Sequence, residues 1–335
     1  MPLRSLYVRP GDASYLNQFF PVSTLPNYPN QLLNPYSEQW TFGVERRIAS
    51  DWVLSVDYVG AHTIRINRPL DVDAPTSFIR TAPGQIRSPQ AANCTRPYWI
   101  WWYSQQNLTC NTTTATNPQP PYSVIQTDVN DGYAYYDALD VNLSHRFNRR
   151  LSMLASYTWS HTIDNVDPDT TSQNPNDANF TGHIENGNAI FDQRHRFVLS
   201  GLYVLPFKIN VGGIVSLASG LPFNIVTGTT NSGDTGATAD RPVIDGVVVG
   251  RNTGHGRPIY DVSPFVERSF MLWRERLHLD LRAEAFNVLN HANFVGYSGT
   301  YGNGATAGPG FGAPLAGITN QLPARFLQFS ARLAF

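Results

Sequence analysis

In residues 277–285, LHLDLRAEA, apolar and polar side chains alternate without a break, and this is the clearest indication of the fold in the sequence. One side of this stretch carries only leucine and alanine, and the other carries His278, Asp280, Arg282 and Glu284. A period of two is the signature of a β-strand whose two faces meet different surroundings. The stretch therefore predicts a strand between an apolar and a polar environment.

The same alternation recurs in eight other segments: 39–45, 52–59, 139–144, 151–160, 196–203, 211–219, 265–272 and 327–335. It is weakest at 211–219 and 265–272, where the two residue classes mix. No comparable stripe with the helical period of 3.6 is present. The pattern predicts an all-β, antiparallel fold with about nine or ten strands.

The connections between these segments are short and long in turn. The short ones lie near residues 49–50, 148–150, 206–210 and 273–276, and the long ones span about 61–136, 161–190, 221–262 and 290–322. In an up-and-down sheet this order places every long loop at one end. Short periplasmic turns and long extracellular loops are typical of an outer-membrane β-barrel. We therefore predict a partial transmembrane barrel over residues 37–335, preceded by an extracellular loop segment or tail at 1–36.

Composition agrees with a barrel and excludes other classes. Charged residues make up 15% of the 335 residues, against about 25% in soluble domains, and the net charge is -1. Nucleic acid is excluded as a partner, because its binding requires a basic surface. No secretory signal stands at the start of the sequence, and no apolar run is long enough for a membrane helix.

The residue types indicate which face meets lipid. Leucine, valine, alanine and aromatic residues fall on one face, and the other includes Asp280, Arg282 and Glu284. A charged side chain in hydrocarbon costs up to several kcal/mol, so these three residues are predicted to face a water-filled lumen. Aromatic residues near segment ends, such as Trp40, Trp159 and Phe207, predict two interfacial girdles.

Several stretches resemble the Oar-like barrel of TonB-dependent outer-membrane transporters. They are NPYSEQWTFGVERR (34–47), YDALDVNLSHRFNRRLSMLASYTWSHTID (136–164), FDQRHRFVLSGLYVLPF (191–207), LRAEAFNVLNHANF (281–294) and RFLQFSARLAF (325–335). The resemblance implies a location in the outer membrane of a Gram-negative bacterium, contact with its lipid and uptake of a scarce solute of the siderophore, vitamin or saccharide class. It also implies a plugged barrel of about 22 strands, energised through the plug by the TonB complex.

The resemblance extends to two local features. The last alternating residues are similar to the signal that the barrel assembly machinery reads: Phe329, Ala331, Leu333 and Phe335. Residues 194–196, Arg-His-Arg, resemble a family landmark whose expected role is pairing with carboxylates such as Asp192.

The sequence also departs from that family. Nine strands is an odd number, and single-chain bacterial barrels have even numbers, so at least one more strand is expected before Trp40. With no recognisable plug or signal peptide, the chain is expected to be the C-terminal portion of a longer protein.

The first long loop contains two cysteines and a cluster of aromatic residues. If this loop is extracellular, Cys94 and Cys110 pass through an oxidising compartment and are expected to form a disulfide. Between them lie Tyr98, Trp99, Trp101, Trp102 and Tyr103. The aromatic cluster either contacts a ligand such as a sugar or forms a small core beneath the clasped loop.

No motif predicts catalysis, a cofactor or a metal site: GxSxG, Walker A, GxGxxG and HExxH are all absent from the sequence. We therefore predict that the chain is not an enzyme. Two alternatives to the energised transporter stay open. One is a passive porin-like or structural outer-membrane barrel, and the other is a soluble extracellular β-protein that binds carbohydrate.

Overall fold

The computed structural model describes residues 22–27, 33–115, 118–148, 150–166, 185–234, 240–273 and 277–334. Nine long strands dominate it: β2 (Tyr36–Ala49), β3 (Trp52–Asp71), β4 (Tyr122–Asn148), β5 (Leu151–Asp164), β7 (His195–Leu205), β8 (Ile209–Ala218), β13 (Ile259–Trp273), β14 (Leu277–Phe286) and β15 (Phe326–Ala334). The shorter elements are β1 (Val22–Asn27), α1 (Pro89–Asn93), α2 (Pro97–Gln105), β6 (Gly187–Asn188), β9 (Pro222–Phe223), β10 (Val243–Ile244), β11 (Val247–Val248) and β12 (Gly254–His255).

The nine long strands form one antiparallel sheet, and each corresponds to one predicted segment. Their order across the sheet is β15-β14-β13-β8-β7-β5-β4-β3-β2, so strands that follow one another along the chain are neighbours in space. This confirms the predicted all-β, up-and-down architecture. Within the described ranges, β2 pairs only with β3 and β15 only with β14, so the sheet is open between these two strands.

Strand register joins the apolar residues of all nine strands into one continuous surface, which we call the apolar face. Residues directly opposite each other in an antiparallel pair point to the same side of a sheet. One row of such residues crosses seven strands: Val44, Val56, Val141, Tyr157, Phe197, Leu217 and Tyr260. A second row reaches the last strand: Tyr203, Val211, Val266, Ala283 and Phe329. The alternation predicted for each strand separately therefore produces one shared face.

The opposite side, which we call the polar face, is continuous in the same way. One row contains Gly43, Asp57, Asp140, Thr158 and Arg196. Another contains Val204, Asn210, Glu267, Arg282 and Ser330.

The first long connection is shorter than its predicted span of about 61–136. β3 continues to Asp71 and β4 begins at Tyr122, so the two strands stay paired well beyond Gly60. The register shifts on both sides of Ile66, and the neighbouring Arg65 has a φ of 59°. The sequence pattern ends earlier, at Val59, because Gly60 and His62 fall on the apolar face and Ala61 on the polar face. The bulge changes the alternation only beyond Ile64.

Within the span 1–36, β1 pairs in parallel with the first residues of β4, from Val22 opposite Tyr122 to Asn27 opposite Thr127. This segment therefore lies beside the projecting part of β4.

Buried side chains concentrate in the connections at the long-loop end. We call this region the loop layer and define it as residues 72–121, 185–194, 219–258 and 287–325. Its buried apolar residues include Trp99, Tyr103 and Val243, but buried polar and charged side chains are more numerous there. By contrast, large apolar side chains of the sheet are exposed, such as Phe42 at 74% and Phe329 at 77%.

None of the helices in the described ranges has the length and apolar character needed to cross a membrane.

Candidate functional site

Residues 219–258 are the hub of the loop layer and hold the first long loop through two arginines. Arg80 Nη1 donates to the carbonyl oxygen of Arg241 at 2.8 Å, and Arg87 Nε donates to that of Ser232 at 2.6 Å. Arg80 is buried and also lies 3.9 Å from an oxygen of Asp240. Two long loops that are far apart in the sequence are therefore fixed to each other by hydrogen bonds from arginine.

The hub holds the next loop through buried ion pairs. Arg241 binds both carboxylate oxygens of Glu185, at 2.5 and 3.0 Å, and Arg251 pairs with Asp164 and donates to the carbonyl of Glu185 at 2.9 Å. All four side chains are buried. Burial raises the pKa of Glu185, and the neighbouring Arg241 opposes that rise. Removing one partner of such a pair leaves an unpaired buried charge, which is strongly destabilising.

The last long loop joins the hub by backbone pairing. The Val226 amide donates to the Gly299 carbonyl at 2.9 Å, and the Tyr301 amide donates to the Val226 carbonyl at 2.8 Å. Nearby, the rings of Phe223 and Tyr297 stack with centroids 5.7 Å apart. The long connections thus form one hydrogen-bonded layer rather than four independent loops.

A buried arginine fixes the root of the first long loop. Arg96 Nη1 lies 2.5 Å from Asp71 Oδ2, at the end of β3, and also donates to the Asp73 carbonyl at 2.8 Å. Asp73 Oδ1 accepts the backbone N–H of Tyr98 at 2.6 Å, in the first turn of α2. An anionic acceptor there satisfies a free helix N–H and complements the helix dipole. Burial raises the pKa of Asp73, and these donors oppose the rise.

A disulfide closes the segment that carries both helices. It joins Cys94 to Cys110, whose Cα atoms are 5.6 Å apart and whose positions differ by 16 residues. A cross-link over a loop of this size contributes roughly 3 kcal/mol, chiefly by limiting the unfolded chain.

The structure divides the five aromatic residues of this segment into an inner and an outer group. Trp99 and Tyr103 are 3% and 2% exposed, and the Trp99 indole N–H donates to the Tyr122 carbonyl at 2.6 Å. Trp101 is 56% exposed, and its ring stacks on that of Tyr98 with centroids 5.8 Å apart. Trp102 is half-buried against Tyr103. The inner pair forms a small core, and the Tyr98–Trp101 pair lies outside it.

Tyr98 carries the polar group of the outer pair. Burial, Tyr122 and Asp73 raise the pKa of Tyr98 to about 12. Its hydroxyl therefore keeps its proton at neutral pH and remains a hydrogen-bond donor.

On the polar face, the three residues predicted to line a lumen belong to a ladder across β13 and β14. Arg282 Nη2 lies 2.5 Å from Glu284 Oε1, and Arg282 Nη1 lies 3.5 Å from Glu267 Oε2. Ser269 Oγ donates to Asp280 Oδ1 at 2.6 Å. Glu267 was not identified from the sequence, because Arg268 breaks the alternation of β13 by falling on the apolar face.

A second group of polar residues on this face lies on β3 and β4 and is not singled out by the sequence pattern. Asp57 and Asp140 are opposite each other on β3 and β4, and they accept hydrogen bonds from Ser55 Oγ at 2.9 Å and Thr158 Oγ1 at 2.5 Å. A Cβ at Gly43 would lie 1.8 Å from Asp57 Oδ1, so glycine leaves room for this carboxylate. The signal was present in the sequence as single acidic residues within alternating strands.

The expected pairing at the start of β7 is present. Arg194 Nη2 lies 3.0 Å from Asp192 Oδ2, and Asp192 Oδ1 accepts the Thr162 amide at 2.8 Å. The carboxylate therefore ties the end of β5 to the start of β7.

The edge strand β15 carries the predicted assembly residues. Phe329, Ala331 and Leu333 are exposed on the apolar face, and Phe335 lies outside the described residues. In the ranges that the structure describes, no group of three or more His, Cys, Asp or Glu residues could hold a metal ion.

Solved structures of outer-membrane proteins are similar to this chain to different degrees, and the first of them has the same fold. The outer membrane transporter YddB from Escherichia coli matches with a TM-score of 0.51 and 10% identity, over 92% of this chain and 33% of that protein. The ferric-catecholate import receptor Fiu from E. coli K12 matches with a TM-score of 0.44 and 8% identity, over 89% of this chain and 28% of that one. FpvA from Pseudomonas aeruginosa, in a complex with a heterologous pyoverdine and iron, matches with a TM-score of 0.47 and 10% identity, over 89% and 27%. This chain thus spans about a third of the length of these proteins.

No curated protein sequence matches this chain. A model of the outer membrane beta barrel domain matches residues 2–248 and 246–328, which together cover most of the sequence. The continuous apolar face, the polar face behind it and the long loops gathered at one end are the features that such a barrel requires. The chain therefore belongs to the outer membrane beta barrel domain family.

Proposed function

We propose that this chain forms part of the wall and the external loops of a TonB-dependent transporter. The observation that carries the proposal is the register, which places the apolar residues of nine strands on one face and the ion-pair ladder on the other. In this proposal the apolar face contacts lipid, and Asp280, Arg282 and Glu284 line a polar route.

The loop layer supplies the capture surface in this proposal. Its buried ion pairs and backbone pairing hold Trp101 and Tyr98 at fixed positions on the first long loop, and the Tyr98 hydroxyl adds a hydrogen-bond donor. Flat, partly polar ligands such as a siderophore, a vitamin or a saccharide fit such a surface by stacking and hydrogen bonding. A plug outside this sequence would couple the barrel to the TonB complex.

The last strand, β15, carries the part of the proposal that concerns insertion of the barrel into the membrane. β15 has an exposed edge and an apolar face that ends in Phe329, Ala331 and Leu333, with Phe335 after them. We propose that this edge is what the barrel assembly machinery binds.

The two faces can be tested in membranes by thiol labelling. The thiol of a Val141→Cys variant, on the apolar face, should react poorly with a charged maleimide. The thiol of an Asn142→Cys variant, at the adjacent position on the polar face, should react well. The native cysteines are joined in a disulfide and do not compete. Equal labelling at both positions would overturn the membrane assignment, and recovery of the protein in the aqueous fraction would favour a soluble carbohydrate-binding protein.

Energy coupling needs a separate experiment. The gene product is produced in hosts with and without TonB, and uptake of a labelled ferric siderophore, a cobalamin and a malto-oligosaccharide is measured. We expect one of the three to be taken up only in the presence of TonB. Uptake that is equal in both hosts would indicate a passive porin-like barrel instead.

Trp101→Ala should reduce uptake of that solute, because the variant loses the stacking surface but keeps the fold. Thr113→Ala, at an exposed position elsewhere in the same loop, is the matched control. Equal uptake by the two variants would remove the outer aromatic pair from the capture surface.

A further inference from the structure

The apolar face of the sheet carries charge at two levels only. Within the described strands, Glu38 and Asp137 lie toward the long loops, directly opposite His62 and His161, and His195 lies at the same end. Arg46, Arg268 and His145 lie toward the short turns. The side chains of this face between these levels are uncharged.

The spacing between the two levels is the same on two strands. On β2 and β4, which both run from the long loops toward the short turns, the basic residue comes eight positions after an acidic one: Glu38 and Arg46, Asp137 and His145. Eight residues span about 26 Å along a strand, and a tilt of about 40° reduces this to a height of roughly 20 Å. That height is close to the apolar band of about 25 Å in outer-membrane barrels. The basic residues therefore mark the edge of that band on the short-turn side.

The two arginines at this edge are not tied to carboxylates of the described residues. Both side chains are exposed. The Arg268 guanidinium carbon lies 4.6 Å from the ring centroid of Phe270, which is two residues nearer the turn on the same face. The side chain thus points toward the turn, as arginine does when it extends from an apolar surface to reach polar headgroups.

The adjacent turns strengthen the positive charge. Arg150 and Lys208 are exposed in the β4–β5 and β7–β8 turns, and in the described turn residues the acidic side chain is Asp51. Phe207, beside Lys208, is 81% exposed, and the Trp52 ring packs against His145 with centroids 4.6 Å apart. Aromatic rings thus lie beside basic side chains at this edge, which is a combination suited to the interface between headgroups and acyl chains.

We propose that this basic turn rim, defined as Arg46, His145, Arg150, Lys208 and Arg268, binds the phosphate groups of anionic phospholipids in the leaflet beside the short turns. A phospholipid fits because its phosphate meets the guanidinium groups while its acyl chains lie on the apolar face directly above. This proposal rests on the proposed membrane topology. It adds that the basic turn rim prefers anionic phospholipids.

The test uses the membrane-extracted gene product in phosphatidylcholine vesicles that contain a trace of spin-labelled lipid. Electron paramagnetic resonance measures the fraction of label that is immobilised on the protein. We expect labelled phosphatidylglycerol to be immobilised about threefold more strongly than labelled phosphatidylcholine, and the preference to fall in 1 M NaCl. The double variant Arg46→Gln, Arg268→Gln should bring the ratio close to one.

Control variants distinguish the effect of the basic turn rim on lipid preference from the effect of the total positive charge of the protein. Arg47→Gln with Arg332→Gln removes the same charge from the polar face at the same end of the sheet, and should keep the preference. Arg46→Lys with Arg268→Lys keeps the charge and should also retain it, which guards against a folding defect in the glutamine variant. A preference that survives in the double glutamine variant, or that disappears in the polar-face control, overturns the proposal. Immobilised lipid without any preference refutes this inference alone, whereas the absence of immobilised lipid refutes the membrane topology itself.

Discussion

The sheet and the loop layer bury opposite kinds of side chain. In the sheet, phenylalanine and leucine are exposed on the apolar face, whereas in the loop layer Arg96 and Asp240 have no exposed surface. An exposed apolar surface of this extent is stable only where hydrocarbon replaces water. The loop layer gains order mainly from buried ion pairs and hydrogen bonds, beside a small apolar core at Trp99 and Tyr103. The comparison shows that the membrane takes the place of a core for the sheet but not for the loops.

The largest effect on stability is expected at a buried ion pair of the loop layer, between Arg241 and Glu185. Arg241→Leu should destabilise the loop layer by about 3 to 5 kcal/mol, because Glu185 is left buried and unpaired. Hydrogen exchange of amides in 219–258 should accelerate, and heat-resistant migration of the folded barrel on a gel should not change. The double variant Arg241→Leu, Glu185→Leu removes both charges and should be much milder. Equal effects in the single and double variants would contradict a desolvated pair.

The corresponding change in the sheet is a charge on the apolar face. Val141→Arg, midway between Asp137 and His145, should cost about 2 to 4 kcal/mol and reduce membrane assembly, because the guanidinium group enters hydrocarbon. Asn142→Arg is the matched control on the polar face and should assemble normally. The measurement is the fraction of protein in the outer membrane, and equal fractions would mean that the two faces share one environment.

Removal of the disulfide is a change confined to one loop, and it tests whether that loop can be destabilised without affecting the sheet. Cys94→Ser with Cys110→Ser should lower the local stability of the α1–α2 segment by roughly 3 kcal/mol. Protease cleavage between residues 94 and 110 should become faster in intact membranes, while the assembled fraction stays unchanged. A loss of assembly would show instead that the loop layer and the sheet fold as one unit.

The smallest effect concerns pH. Burial raises the pKa of Asp240 above its ordinary value of 3.8, so the folded loop layer binds the proton more tightly than the unfolded chain does. The stability that this carboxyl contributes is therefore fully present below pH 3.8 and is lost as the pH rises through the higher folded pKa. Asp240→Asn should flatten the dependence of loop-layer hydrogen exchange on pH after correction for intrinsic rates. Asp245→Asn, at an exposed position in the same loop, should leave it unchanged.

Strands were easier to predict than the site. All nine segments with alternating residues are strands, because the period of two follows from backbone geometry and requires no knowledge of neighbours. The blurred pattern at 265–272 has a specific cause, since Arg268 stands on the apolar face beside Leu281. The pattern ends at Val59 for a similar reason, because Gly60 and His62 fall on the apolar face and Ala61 on the polar face.

Candidate site residues were predicted only where one residue type decides the chemistry. Cys94 and Cys110 are expected to pair because an extracellular loop passes through an oxidising compartment, and the sequence contains 2 cysteines. The partners Glu185 and Arg241 were missed, because they are separated by 56 positions and no local pattern links them. The five aromatic residues of the first loop could not be divided into an inner and an outer group without the direction of α2.

The sequence by itself determined that this protein is an antiparallel sheet with two unlike faces and with its long connections at one end. These properties follow from alternation and from the order of short and long connections, both of which are local. The tertiary structure alone decided that the loops form one layer around residues 219–258, and that arginines of distant strands, Arg46 and Arg268, lie at the same edge of the apolar face. Both depend on register and on contacts between distant segments, where the free energy comes from pairs of residues that a linear pattern does not connect.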